Sequence, residues 1–127
     1  MAIGIWNTAF LGDAILTLPL IQTVFCRYPD EPIHFFTRKG LKPLFEAHPA
    51  IAEVHEFDKA GAEKSLSGML RFARVFEKHD FRLWISAHTS LRSAFMARLS
   101  RAKTRIGYKP EFALPGGYSW AYTDMVP

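Results

Sequence analysis

The chain has 127 residues, 49% of them hydrophobic and 22% charged, an ordinary balance for a folded domain that excludes general disorder. Lys and Arg exceed Asp and Glu by 16 to 12, a formal charge of +4. That moderate surplus is compatible with a phosphorylated substrate, an acidic membrane surface or nucleic acid, and selects none of them.

Residues 2–6, Ala-Ile-Gly-Ile-Trp, form a short apolar run that reads as a strand buried on both faces. Asn7 to Asp13 then makes a strand-to-helix turn, in which Gly12 allows a tight backbone. Asp13 stands where the helix begins and has two readings, a helix cap or a carboxylate at the mouth of a site. From residue 14 to 28 apolar residues recur at helical spacing, with Pro19 predicting a kink. Cys26 lies in that pattern and reads as a small core residue; a lone cysteine excludes an internal disulfide and fits a reducing compartment. The apolar stretch is too short to span a bilayer, and no basic region with an apolar run and cleavage site precedes it. A soluble protein, or one held at a membrane surface, is expected.

Residues 33–37 read as a second strand ending at Arg38-Lys39-Gly40, and residues 41–47 as a short helix with Leu41, Leu44 and Phe45 inward. Residues 51–57 alternate as a strand near a sheet edge does. Residues 62–79 form the clearest amphipathic helix, with Leu66, Met69, Leu70, Phe72, Ala73 and Phe76 on one face. A fourth strand at 81–86 ends at Ala87-His88-Thr89-Ser90. A helix at 91–100 follows, with Leu91, Ala94, Phe95 and Leu99 inward and Arg92 outward, and then a fifth strand at 104–107. Residues 109–127, rich in Pro, Gly and aromatics, carry no period and read as an irregular tail after a domain of residues 1–108, the pattern of a fragment.

Strands alternating with helices imply right-handed βαβ units and a parallel sheet with helices on both faces. Ligands in such sheets bind beyond the carboxyl ends of the strands. Thr8 to Asp13, Arg38 to Gly40 and His88 to Arg92 converge on that edge. The turn lacks G-x-G-x-x-G and any phosphate-cradling G-x-x-x-x-G-K-[ST] loop, so nucleotide binding by these residues is poorly supported. Ser90 has no G-x-S-x-G surround. His34, His48, His55, His79 and His88 show no i, i+4 pairing or Cys partner, so no metal site is expected, and His34 and His55 read as strand-surface residues. His88 is either a ligand-edge residue or a hydrogen-bonded loop histidine. Arg38 and Arg92 either grip phosphate or carboxylate bidentately or are solvated surface charge. The arginines of the last helix accompany no nucleic-acid motif, so no nucleic-acid partner is expected.

The ordered segments Phe10-Leu11-Gly12-Asp13-Ala14-Ile15-Leu16-Thr17-Leu18-Pro19-Leu20, Arg27-Tyr28-Pro29-Asp30, Leu44-Phe45-Glu46-Ala47-His48-Pro49, Ser90-Leu91-Arg92-Ser93-Ala94 and Arg105-Ile106-Gly107-Tyr108 resemble the N-terminal half of the heptosyltransferases. These are family 9 glycosyltransferases that extend the inner core of lipopolysaccharide. The resemblance implies a GT-B type enzyme with two Rossmann-like halves. The half seen here holds a lipid-linked saccharide acceptor, and a C-terminal half, absent from this sequence, binds the ADP-heptose donor as co-substrate. No metal or other cofactor is implied, and the setting is cytoplasmic, with contact at the inner membrane surface compatible. Asp13 matches the position taken as catalytic base, with Thr8, Gly12, Arg38, His88, Ser90 and Arg92 on the substrate side. Strand four departs from the pattern, since relatives often carry an acidic residue near Ser86. These residues alone are expected to be inactive. The alternative is a non-catalytic α/β module that binds anions through its basic edge, with Asp13 buried in capping.

Overall fold

A strand apolar at every position except its last has no face to give to water, and Ala2–Asn7 (β1) is buried along its whole length. The computed structural model describes residues 1–61, 63–88, 90–108 and 118–126. After β1 come two helices, α1 (Leu11–Ile15) and α2 (Leu18–Arg27), then β2 (Ile33–Arg38), α3 (Lys42–Phe45) and β3 (Glu53–Phe57). The second part holds α4 (Leu66–Phe72), α5 (Arg74–Glu77), β4 (Phe81–Ser86), α6 (Leu91–Leu99), β5 (Thr104–Tyr108) and β6 (Asp124–Val126).

All pairings are parallel and the strand order is β3-β2-β1-β4-β5-β6. The chain builds outward from β1 through β2 to β3, then crosses to the other side of β1 to lay down β4, β5 and β6. The strand order therefore reverses between β1 and β4, and a crevice opens at their carboxyl ends. β3 lies at an edge, as its alternating sequence predicts.

Each face carries its own core. Ile3, Ile5, Ile33 and Phe35 pack under Ile21, Val24 and Phe45 of α2 and α3. Trp6, Phe36, Phe57 and Trp84 pack with Phe76, Ala94 and Met96 on the face of α4, α5 and α6. Trp6 stacks against Phe36, with centroids 6.0 Å apart, and meets Phe57 edge-on at 4.9 Å. Five of the eleven Phe residues, Phe36, Phe57, Phe72, Phe76 and Phe81, pack on this second face.

Several local expectations are corrected. Pro19 does not kink a continuous helix; the helix divides, and Pro19 sits in the first turn of α2, where its missing N–H has no partner to lose. The amphipathic segment also divides, at Ala73, where the Phe76 N–H bonds the Ala73 carbonyl in a tightened i−3 turn. Its predicted first residue, Ala62, lies outside the described residues. Leu44, Leu66, Leu70 and Leu91 are exposed, and Cys26 is exposed with the Gln22 amide against its sulfur, whereas His34 is buried. The predicted irregular tail is ordered at its end. Ala121 and Tyr122 are buried, the Thr123 N–H bonds the Arg105 carbonyl at 2.8 Å, and β6 pairs with β5. Residues 109–117 and 127 of that segment lie outside the described residues.

Gly4 marks the tightest approach within the sheet. It pairs with Trp84 across β1 and β4, and a Cβ at Gly4 would be driven into the Trp84 indole. The Gly4→Ala variant is expected to lose about 1–3 kcal/mol through overpacking, seen as a lower urea midpoint at unchanged slope.

Candidate functional site

Asn7 ends β1 and is buried, so its amide must find partners inside the protein. Its Oδ1 accepts the Ala9 N–H at 3.1 Å, while Nδ2 donates to the Asp13 carbonyl at 3.1 Å and to Thr17 Oγ1 at 2.8 Å. Thr17 Oγ1 donates in turn to the Asp13 carbonyl at 3.0 Å. The backbone of Asp13 is thus held from two sides, and its side chain is left outside. The cap residue of α1 is Phe10, which makes no side-chain cap bond, and Asp13 lies in the first turn with an exposed side chain. Of the two readings of Asp13, the capping one is absent.

Asp13 lines a cleft of about 340 Å³ together with Asn7, Ala9, Leu16, Thr17, Leu20, Ala87, His88 and Tyr108. His88 forms the wall between this cleft and a second one of about 510 Å³, lined by Thr8, Lys59, Leu66, Met69, His88, Ser90, Leu91, Arg92 and Phe95. Both lie at the carboxyl ends of β1 and β4, where the strand order reverses.

Ser93, fully buried on α6, organises the wall. Its Oγ accepts the Trp6 Nε1–H at 2.9 Å and the Ser90 hydroxyl at 2.9 Å, which leaves its own proton for His88 Nδ1 at 3.3 Å. A hydroxyl has one donor and two acceptor sites, so with both acceptor sites taken this inventory assigns His88 the Nε2–H tautomer. Burial first, and then the neighbouring Lys59 ammonium, push the His88 pKa below its ordinary value, with Asp13 pulling the other way. His88 is therefore a neutral donor toward the cleft at pH 7.

The second cleft is basic. The Lys59 pKa is lowered by burial first and then by the nearby Arg38 and Arg92 guanidinium groups, which places the three cations in one neighbourhood. Arg38 lies over the Phe10 ring, 4.8 Å from its centroid. Arg92, predicted to point outward, is half-buried, and its Nε is a buried donor with no hydrogen-bond partner among the described residues. An arrangement of this kind suits a phosphate or carboxylate.

The structure places all seven predicted residues at this edge, in different ways. Asp13 and His88 line the first cleft; Thr8, His88, Ser90 and Arg92 line the second; Arg38 lies near Lys59 of the second; the tight turn expected of Gly12 is corrected, since Gly12 is an ordinary exposed helical residue of α1 with open space where a Cβ would stand. Ser90 caps α6, its Oγ accepting the Ser93 N–H at 3.0 Å, so its hydroxyl is already engaged. Thr89 lies outside the described residues. Asn7, Lys59 and Ser93 were missed. Asn7 carried a signal, since an Asn after an apolar strand commonly bonds the backbone two residues on. Lys59 and Ser93 are brought in only by the tertiary fold.

No protein-family model matches the chain. Lipopolysaccharide heptosyltransferase 3 of Escherichia coli is 22% identical over 120 residues, a match that takes in 93% of this chain and 35% of that protein. Among solved structures, a glycosyltransferase family 9 protein from Veillonella parvula superposes with a TM-score of 0.86 at 24% identity, over 99% of this chain and 36% of that one. E. coli heptosyltransferase WaaC, solved with ADP-2-deoxy-2-fluoro heptose, gives 0.80 at 19% identity, over 99% and 42%. The fold is that of the family 9 glycosyltransferases. The expected Rossmann-like parallel sheet, one half of a GT-B type fold, is the one observed, and the chain spans about a third of the curated relative's length, 35%.

The assignment of His88 is open to direct measurement. Imidazole nitrogen shifts are expected to show the Nε2–H tautomer, with a titration midpoint below 6.5 that moves upward in Lys59→Ala, because an adjacent positive charge has been removed. Ser93→Ala is expected to release the tautomer.

Proposed function

We propose that this chain forms the acceptor side of a heptosyltransferase-like glycosyltransferase, with Asp13 as its general base. The observation that carries this reading is the Asp13 carboxylate, exposed on the cleft while its own backbone carbonyl is held by Asn7 and Thr17. An acceptor hydroxyl placed there gives its proton to Asp13 as its oxygen attacks the anomeric carbon, and the nucleoside diphosphate departs from the opposite side. The neutral His88 donates from the cleft wall and orients the acceptor without adding charge.

Lys59, Arg38 and Arg92 take the acceptor's phosphate or carboxylate groups, so the basic second cleft acts in recognition rather than in chemistry. The ADP-sugar is held by residues outside this chain, and the 127 residues by themselves bind acceptor without turnover. The exposed Phe10, Leu11, Ile15 and Leu16 of the α1 region give the edge an apolar rim, which supports contact with a lipid-linked acceptor at the inner face of the cytoplasmic membrane. No helix among the described residues is long and apolar enough to cross a membrane.

The same basic cluster favours a second reading, a non-catalytic anion-binding module. That reading accounts for Lys59 and Arg92 but gives no role to an open Asp13.

In the complete protein supplied with ADP-heptose and a lipopolysaccharide-core acceptor, Asp13→Asn is expected to lower kcat by roughly 10²–10⁴ with little change in acceptor KM. Lys59→Ala and Arg92→Ala are expected to do the reverse, raising acceptor KM. Unchanged turnover in Asp13→Asn would show the base assignment to be wrong, and acceptor binding without turnover in the unaltered protein favours the module.

A further inference from the structure

At the opposite end of the sheet, the amino ends of β2 and β3 place three residues on one face. His34 pairs with Glu53 across the two strands and Phe36 pairs with His55, and the two-residue strand period turns His34, Glu53 and His55 the same way. His79 joins them from the connection between α5 and β4. One ligand atom from each of the four lies within 4.8 Å of all the others. His34 Nδ1 is 3.0 Å from His55 Nε2 and 3.7 Å from Glu53 Oε2, and His55 Nε2 is 3.8 Å from the same carboxylate oxygen. The His34 and His79 rings are 4.0 Å apart, centroid to centroid, with Phe81 edge-on to His34 at 5.7 Å and Phe36 stacked on His55 at 4.6 Å.

We propose that His34, Glu53, His55 and His79 form a binding site for a divalent transition metal ion of the zinc type. Four ligands around a tetrahedral Zn²⁺ with bonds of about 2.05 Å stand about 3.3 Å apart, inside the range of the separations just given. Three imidazoles and one carboxylate suit zinc and its neighbours, whereas calcium and magnesium call for an all-oxygen set. The packed aromatic rings fix the ring planes. Glu53, the most exposed of the four, leaves a way in from solvent.

A hydrogen bond between His34 and His55 accounts for one contact but not for the convergence of four ligand atoms. A bound ion would tie the edge strand β3 to β2 and to the chain entering β4. From His34 to Arg38 is four residues, about 13 Å along β2, so the ion stands clear of the cleft and its role is structural. The inference does not depend on the transferase reading.

Protein stripped with a chelator and dialysed free of it is titrated with Zn²⁺ by calorimetry and with Co²⁺ by visible absorption. One ion per chain is expected, with the d–d bands of four-coordinate cobalt and a melting temperature raised by about 5–10 °C at a hundredfold excess over Kd. His34 is buried, so its removal tests folding as much as binding, and the informative variants are His79→Ala and Glu53→Ala. Each is expected to weaken binding at least about tenfold with far-ultraviolet circular dichroism unchanged. Cys26→Ser, which removes the exposed thiol, is expected to bind as the parent does. Absence of binding by the folded parent, parental affinity in both variants, or loss of binding in Cys26→Ser would overturn the assignment.

Discussion

The site depends on one buried amide. Asn7 is buried at the end of the central strand, and it reaches forward to Ala9, Asp13 and Thr17. An unpaired buried amide costs about 1–3 kcal/mol, so the turn is held in the one path that supplies all three partners. That path sets where α1 begins, where it stops and where α2 resumes. It also directs the Asp13 side chain outward, because the Asp13 carbonyl faces the Asn7 amide. The position of the carboxylate thus follows from a strand-end side chain six residues earlier.

A second linkage runs from the core to the cleft wall. Trp6 belongs to the aromatic core of the α6 face, yet its indole N–H ends on Ser93, which in turn meets His88. Packing of one of the two buried indoles therefore bears on which His88 nitrogen carries the proton. The two linkages start from adjacent residues of β1 that point to opposite faces, as strand geometry requires. One strand end thereby fixes both Asp13 and His88.

The parallel sheet was legible because its signals are local: apolar runs of five or six residues alternating with helical periods, which admit few topologies once right-handed crossovers are imposed. The position of Thr8, Asp13, His88 and Arg92 at the carboxyl edge of the strands followed from it. Side-chain neighbourhoods were less legible. Lys59 sits in an irregular segment after β3, and nothing in its surroundings marks it as the companion of Arg38 and Arg92. Leu66 and Leu91, expected inward, line the second cleft, where an apolar residue faces open space rather than core, and Leu70 is exposed away from it. The i, i+4 spacing that marks ligand pairs on helices does not reveal His34, Glu53 and His55, which lie on strands, where a shared face has a period of two and partners come from neighbouring strands. β6 was missed because three residues are too short to show a period.

The protonation of His88 bears on the chemistry as much as its position does. A cationic imidazole at the cleft wall would attract the Asp13 carboxylate, and the pair would compete with any hydroxyl brought to it. Burial and the Lys59 ammonium act together against that charge. The Lys59 ammonium of the second cleft thus also keeps the histidine neutral, and Lys59 links the basic cleft to the acidic one. Under the proposed function, recognition in one cleft and proton acceptance in the other are separated by a single neutral side chain. That separation lets a strongly cationic surface stand beside a carboxylate without the two joining in an ion pair.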